Sequence, residues 1–245
     1  MCRMIFAAGD FELSQLIDNL ILMAKGENEL HENNPELGTY QHAHGWGIAY
    51  LDQGEWIVKK SEKAVFEDSE INELRTVKTN LAVLHVRRAT NGVISYDNTH
   101  PFQFRNYVFC HNGTLRGKID YDQWFHVDGK TDSEKLFYSV LTEIKEDYDD
   151  YDENKVITAI RTDTERYQDY TALNFILARV KESYVHYLSQ DKSQYHQMKM
   201  GKSDNLVIVS SEKLKNLPNL QWNALEQGDI VTINNQTLET SINKR

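Results

Sequence analysis

Met1-Cys2-Arg3-Met4-Ile5-Phe6-Ala7-Ala8 opens the chain, and its second residue decides how the rest is read. A cysteine is small enough for cellular aminopeptidases to remove the methionine ahead of it. The mature chain then begins with a residue that carries both a thiol and a free α-amine. The amine titrates at about 7.7–8.0 and the thiol at about 8.5. One residue thus holds a nucleophile and a base near physiological pH, the pairing that covalent catalysis requires. Cys2 reads equally as a small apolar residue at the head of a buried strand, because free cysteines are commonly buried.

Outward from this start the composition is that of an ordinary globular protein. The chain has 245 residues, 40% hydrophobic and 26% charged, enough for one large domain or two small ones. A net charge of −10 argues against a nucleic-acid partner or an anionic membrane surface, which need a basic patch. No apolar run approaches the ~18–20 residues of a spanning helix. Asp10 and Glu12 interrupt any secretory leader. Two cysteines, Cys2 and Cys110, in a chain this long point to a reducing, cytoplasmic setting with free thiols, although a bridge between them stays open.

Cys2–Ala8 is expected to be a strand, followed by a helix over Phe11–Ala24 with Leu13, Leu16, Ile17, Leu20 and Ile21 at helical spacing and Asp10 or Ser14 as its cap. Residues 26–42 read as a loop long enough to be functional or mobile. Trp46–Leu51 and Trp56–Lys60 read as a hairpin around Asp52-Gln53-Gly54, and Glu70–Lys78 as a short helix. Asn80–Arg87 and Tyr107–His111 are strands by composition. Thr131–Lys145 is a second helix, Lys145–Asn154 a solvated acidic bend and Val156–Glu165 a third helix. Five strands follow, over Ala172–Val180, Tyr184–Ser189, Leu206–Ser210, Asp229–Ile233 and Thr237–Ile242. With no low-complexity linker and no repeat, the pattern predicts one α+β domain with packed sheets.

Four clusters carry chemistry: residues 84–92 (LHVRRATNG), Asn98-Thr99-His100-Pro101-Phe102, His111-Asn112-Gly113-Thr114 and Thr131-Asp132-Ser133-Glu134. In this order, behind an N-terminal cysteine, they resemble the glutaminase domain of class II glutamine amidotransferases, which are N-terminal-nucleophile hydrolases. Gly45-Trp46-Gly47-Ile48-Ala49 and Ser210-Ser211-Glu212-Lys213-Leu214 extend the resemblance over most of the chain. It implies a four-layer αββα sandwich of two mainly antiparallel sheets, a single domain over residues 1–245, and the small stand-alone subgroup.

The implied reaction is attack of the Cys2 thiolate on the side-chain amide of glutamine. Ammonia leaves, and water hydrolyses the γ-glutamyl thioester. The resemblance gives Asn112 and Gly113 the oxyanion site, Arg87 the α-carboxylate and Asp132 the α-ammonium group; Thr90 belongs to the substrate-binding turn. The residue types suit these tasks. Glycine lets backbone approach a substrate, and a guanidinium grips a carboxylate with two parallel bonds. Each also has a plain structural reading: Asn-Gly as a hairpin turn, Arg87 as a strand-end ion pair, Asp132 as a helix cap. Arg88 lies on the opposite side of an extended segment from Arg87.

Asn91 stands where the family turn commonly reads Thr-His-Gly, so no role resting on an imidazole is expected there. Arg88 stands where synthase-linked members carry a Trp tied to ammonia gating, so no ammonia channel is assumed. His100-Pro101-Phe102 reads as structural, and His85 and His111 as satisfied core histidines. Cys2, His85, Cys110 and His111 match no common zinc spacing, and neither metal nor cofactor is expected. The expected partner is a small molecule, glutamine or a γ-glutamyl compound, with a synthase subunit or a second copy of the chain also compatible. Two alternatives stay open: hydrolysis of γ-glutamyl peptides or conjugates in thiol metabolism, with residues 26–42 and 191–203 walling the tail pocket, and a catalytically silent binding subunit that retains Met1.

Overall fold

A computed structural model describes residues 2–29, 40–144, 152–190, 193–217 and 219–245. The strands in chain order are β1 (Arg3–Gly9), β2 (Trp46–Asp52), β3 (Glu55–Ser61), β4 (Leu81–Val86), β5 (Phe102–Phe104), β6 (Tyr107–Asn112), β7 (Asn174–Ala178), β8 (Glu182–His186), β9 (Lys199–Lys202), β10 (Leu206–Ser210), β11 (Gln221–Ala224), β12 (Ile230–Asn234) and β13 (Thr240–Asn243). The helices are α1 (Leu13–Lys25), α2 (Asp132–Ile144), α3 (Glu153–Thr164) and the single turn α4 (Ser193–His196), with a 3₁₀ helix over Ser69–Thr76.

The strands form two antiparallel sheets. One runs β11-β9-β10-β1-β4-β2-β3 and the other β13-β12-β8-β7-β6-β5. Side chains alternate across a strand, and this parity sorts the core into layers. Met4, Phe6, Leu81 and Val83 meet Val108, Cys110, Ile176 and Val185 between the sheets. Ile5, Ala7, Ala82 and Leu84 turn outward onto Leu16 and Leu20 of α1. Phe109, Phe175 and Leu177 turn outward onto Leu136, Phe137 and Ile160 of α2 and α3. The order helix, sheet, sheet, helix is the expected αββα sandwich.

Several local expectations change. Neither Asp10 nor Ser14 caps α1. The cap position is Glu12, without a side-chain bond, because Asp10 is turned to the Asn205 amide at 3.3 Å and Ser14 lies inside the helix. The segment expected as a helix over Glu70–Lys78 is 3₁₀. Its Asp68 cap also accepts from Ser61 at 2.5 Å and Trp46 at 3.1 Å, which ties that end to the hairpin. β5, β9, β11 and α4 lack a periodic signal long enough to read. Residues 145–151 of the bend expected over Lys145–Asn154, and most of the 26–42 loop, lie outside the described residues, while Asp152 caps a helix that already begins at Glu153, because its carboxylate accepts from Asn154 N–H. No helix among the described residues is long and apolar enough to cross a membrane.

Candidate active site

Strand parity brings the site together. In β1 the even positions face the gap between the sheets, in β4 the odd ones and in β6 the even ones. Extended by one residue in β1 and β4, and read at the last residue of β6, these rules aim Cys2, Arg87 and Asn112 into the same end of that gap. Register agrees: Arg3 pairs with Val86, so one step further Cys2 stands beside Arg87. The arginine backbone is fixed by its own exchange with the preceding loop, His44 N–H to Arg87 O at 2.9 Å and Arg87 N–H to Gly45 O at 2.8 Å.

Cys2 and Asn112 are in direct contact. The Cys2 nitrogen donates to Asn112 Oδ1 at 2.8 Å. A nitrogen donor requires the amide oxygen on that side, so the Asn112 Nδ2 points the other way. Asn112 is fully buried, and Nδ2 meets no partner among the described residues. A buried unpaired donor typically costs about 1–3 kcal/mol, a cost that an anion arriving there would remove.

Gly113 follows in a turn with no room for a side chain. A Cβ there would lie 1.9 Å from the Ala172 carbonyl oxygen and 2.8 Å from His111 Nε2. His111 faces outward, toward α2. Its Nε2 reaches the Ala172 carbonyl at 3.1 Å and so carries the proton, which leaves Nδ1 to accept from Ser133 Oγ at 2.9 Å. Burial lowers its pKa against the pull of Asp132, so the ring is a neutral clasp between turn and helix.

Asp132 begins α2 and is almost fully buried. Its Oδ2 accepts from Leu115 N–H at 2.6 Å; its other oxygen takes no hydrogen bond among the described residues. The capping expected of this segment falls to Thr131, whose Oγ1 accepts from Glu134 N–H at 3.3 Å. Glu134 turns back to accept from the N–H groups of Asp128 and Gly129 at 2.9 and 2.7 Å.

Arg87 is 2% exposed, not a surface ion pair. Nη1 donates to Val93 O at 3.0 Å and Nη2 to Asn91 O at 2.9 Å, so the guanidinium folds the turn at 91–93 around itself. Gly92 serves that turn with φ +73. Burial lowers the Arg87 pKa, while the charges of Cys2 and Asp132 act in the opposite direction. Thr90 bridges to the oxyanion turn through Thr114, Oγ1 to Oγ1 at 3.0 Å. Arg88 points away, its guanidinium 4.2 Å over the Tyr40 ring.

A network unread in the sequence lies on the outer side of β1. Arg3, fully buried, pairs through Nε with Glu212 Oε1 at 2.7 Å. Its Nη1 donates to Tyr195 O at 3.0 Å, and its guanidinium lies 3.8 Å over the Tyr195 ring. Asn28 donates to Glu212 Oε2 at 2.8 Å, and the Tyr195 hydroxyl meets His42 Nε2 at 3.0 Å. A charged residue inside the apolar run Cys2–Ala8 was the available signal. His42, from the 26–42 segment, and Tyr195, from the 191–203 segment, therefore meet on the outer side of β1, and no described residue of either segment lines the cleft beside Asp132.

Of the two histidines expected to be satisfied in the core, His111 is bonded through both ring nitrogens, and His85 is fully buried and interacts with the His111 backbone. The His85 and His100 rings lie 4.2 Å apart, tilted by 32°, and the His100 ring nitrogens meet no hydrogen-bond partner among the described residues. Burial drives the His85 pKa down to about 3 and that of His100 well below the ordinary value, so both rings are neutral. Among the described residues no three His, Cys, Asp or Glu side chains gather as a metal site.

Residues 34–195 match the family model of class II glutamine amidotransferases. The chain belongs to that family. A Methanocaldococcus jannaschii protein of uncharacterised role is 35% identical over 124 residues, 48% of this chain and 35% of its own. The Escherichia coli protein YafJ, named as a glutamine amidotransferase, is 31% identical over 118 residues, 45% of this chain and 46% of its own. These alignments cover less than half of either relative. Among solved structures, a class-II domain protein of Silicibacter pomeroyi superposes with a TM-score of 0.64 at 18% identity over 99% of each chain. The phosphoribosylpyrophosphate amidotransferase of Bacillus subtilis gives 0.64 at 19% identity over 98% of this chain and 49% of that one. The structural likeness extends to the fold, that of N-terminal-nucleophile amidotransferases.

Proposed function

We propose that this chain is a single-domain, cysteine-dependent glutaminase that releases ammonia from the side chain of glutamine once Met1 has been removed. The observation that carries the reading is the Cys2–Asn112 contact: one amide binds the catalytic nitrogen through its oxygen and keeps its NH₂ buried and unspent.

The steps follow from that arrangement. The α-amine of Cys2, held by Asn112 Oδ1, takes the thiol proton, directly or through one water. The thiolate attacks the side-chain carbonyl carbon, and the carbonyl oxygen becomes an oxyanion that Asn112 Nδ2 and the Gly113 N–H stabilise. The α-amine returns its proton to the departing nitrogen, the C–N bond breaks, and ammonia leaves a γ-glutamyl thioester. Water, deprotonated by the same amine, attacks the thioester, and glutamate leaves as the thiol is restored. Asp132 holds the α-ammonium group with its remaining oxygen, and Arg87 offers the α-carboxyl group the N–H groups not spent on the 91–93 turn. No cofactor enters. A cytoplasmic setting fits the two free thiols, Cys2 and Cys110, and a synthase subunit is a compatible receiver of the ammonia.

The test is a glutamine-like diazo-ketone, which should stop ammonia release and add one adduct to a Cys2 lacking the preceding methionine, read by peptide mass. Cys2→Ala should release no ammonia and keep the circular-dichroism spectrum. Labelling elsewhere, or persistent turnover in that variant, would reject the assignment.

A further inference from the structure

The Asp132 carboxylate does not close the site. It lies on the wall of a 550 Å³ cleft whose lining includes Thr90, Asn91, Thr114, Lys130 and Lys135. That is within the range of about 300–1,000 Å³ typical of pockets for ligands much larger than an amino acid, so a glutamyl head beside Asp132 leaves most of it empty.

The charge in this cleft runs against the chain. The whole protein carries −10, yet the lining holds Arg116, Lys118, Lys130 and Lys135 against only Asp120 and Asp132. Arg116 is paired with Asp169 at 2.8 Å and Lys118 with Asp120 at 2.5 Å. Lys130 and Lys135 have no carboxylate partner among the described residues. Lys135 sits one helical turn after Asp132, on the same face of α2, and is half-buried. The Lys130 backbone is anchored by its N–H to Asn98 Oδ1 at 2.7 Å, and Asn98 in turn donates to Val93 O at 3.0 Å, the carbonyl that Arg87 also grips.

We propose that this cleft is a second subsite that takes an anionic extension of the glutamyl substrate, joined through its α-carboxyl group and bound by Lys130 and Lys135. An N-terminal glutaminyl peptide with an acidic second residue is the simplest such compound. Its free α-amine still meets Asp132, and its α-carbonyl still accepts from Arg87. The formal negative charge moves outward to the two lysines. The chemistry at Cys2 is unchanged, so this inference rests on the glutaminase reading.

The experiment compares ammonia release from free glutamine and from the dipeptides Gln-Glu, Gln-Ser and Gln-Lys by the full chain with a mature N-terminal cysteine. Gln-Glu should exceed Gln-Ser in kcat/KM by about fivefold or more, the size a charge-assisted contact in a partly screened cleft supports, and Gln-Lys should be poorest. The preference should shrink as salt is raised. It should collapse toward unity in the double variant Lys130→Gln/Lys135→Gln and survive in Lys130→Arg/Lys135→Arg, which keeps the charge. Ammonia from free glutamine with no charge preference among the dipeptides overturns the subsite and leaves the glutaminase standing. No ammonia from any of the four overturns both.

Discussion

Asn112 faces two demands at once, and its variants separate them. Asn112→Ala removes the acceptor for the Cys2 nitrogen and the donor aimed at the oxyanion. A single oxyanion donor is worth about 10²–10³ in turnover, so kcat should fall by at least that much. Stability should change little, because the lost bond is offset by removal of the orphaned Nδ2. Steady-state ammonia assays beside thermal melts check this; an unchanged kcat removes Asn112 from the reaction. Gly113→Ala should cost stability as well as activity. A Cβ 1.9 Å from a backbone carbonyl cannot be absorbed by a rotamer change, so the turn must move. We expect a loss of about 1–3 kcal/mol, as for overpacking, together with loss of activity. Arg87→Lys keeps a charge but not the planar fork. Released from its two carbonyls, the 91–93 turn should loosen, and KM for glutamine should rise by about tenfold or more, the worth of one charge-assisted bond. A wild-type KM would mean that Arg87 serves the turn alone.

At the scale of elements, the Arg3–Glu212 pair binds the first strand to the segment after β10, beneath the residue that must present its sulfur and amine. Removing one partner of a buried pair leaves an uncompensated charge, typically at a cost of about 3–5 kcal/mol, whereas replacing both by apolar residues is often near neutral. Arg3→Met and Glu212→Leu should each lower stability strongly in urea denaturation, and the double variant should recover much of the loss. Additive losses would show that the two residues do not work as a pair. The same elements show what the sequence makes legible. β1, β4 and β6 are near-continuous apolar runs buried on both faces, and α1 and α2 carry helical apolar spacing, so they and the order of the motifs on them can be read directly. With them come Cys2, Arg87, Asn112, Gly113 and Asp132, since each sits at the end of such an element. β5, β9 and β11 have three or four residues each, too short for a period to show even where the pairing partner is the next strand. The Arg3 network joins residues from both ends of the chain, and the cleft beside Asp132 is shaped by loops, which have no period. Tertiary position, not local pattern, decides all of these.

Across the whole molecule the imidazoles lowered by burial outnumber the carboxyls that burial raises, and this fixes the direction of acid sensitivity. His85 is driven down to about 3, His186 to about 4, and His100 well below the ordinary 6.5, in each case first by burial. In the unfolded chain each takes up a proton near pH 6.5; in the folded chain each resists until much lower pH. The unfolded state therefore binds more protons below pH 6.5, and stability falls as the solution is acidified. Asp163 acts in the opposite sense. Burial raises it to about 6 from an unfolded value of 3.8, although Ser139 Oγ at 2.6 Å favours its charged form. The folded chain thus takes up that proton first, and acidification from pH 6 toward 4 favours the fold by one group. Burial also lowers His44 and His111 and raises Glu134 and Glu182, so five imidazoles against three carboxyls leave about two protons, and each is worth about 1.4 kcal/mol per pH unit. Urea midpoints should hold from pH 8 to 7 and then drop, with a slope of about 1–3 kcal/mol per unit between pH 6 and 4.5. Asp163→Asn, which keeps the shape but cannot titrate, should be steeper than wild type over that window. A flat profile would mean that the imidazoles reach water or a compensating charge in the folded state, and one unchanged by that substitution would mean that the Asp163 carboxyl is not held protonated by burial.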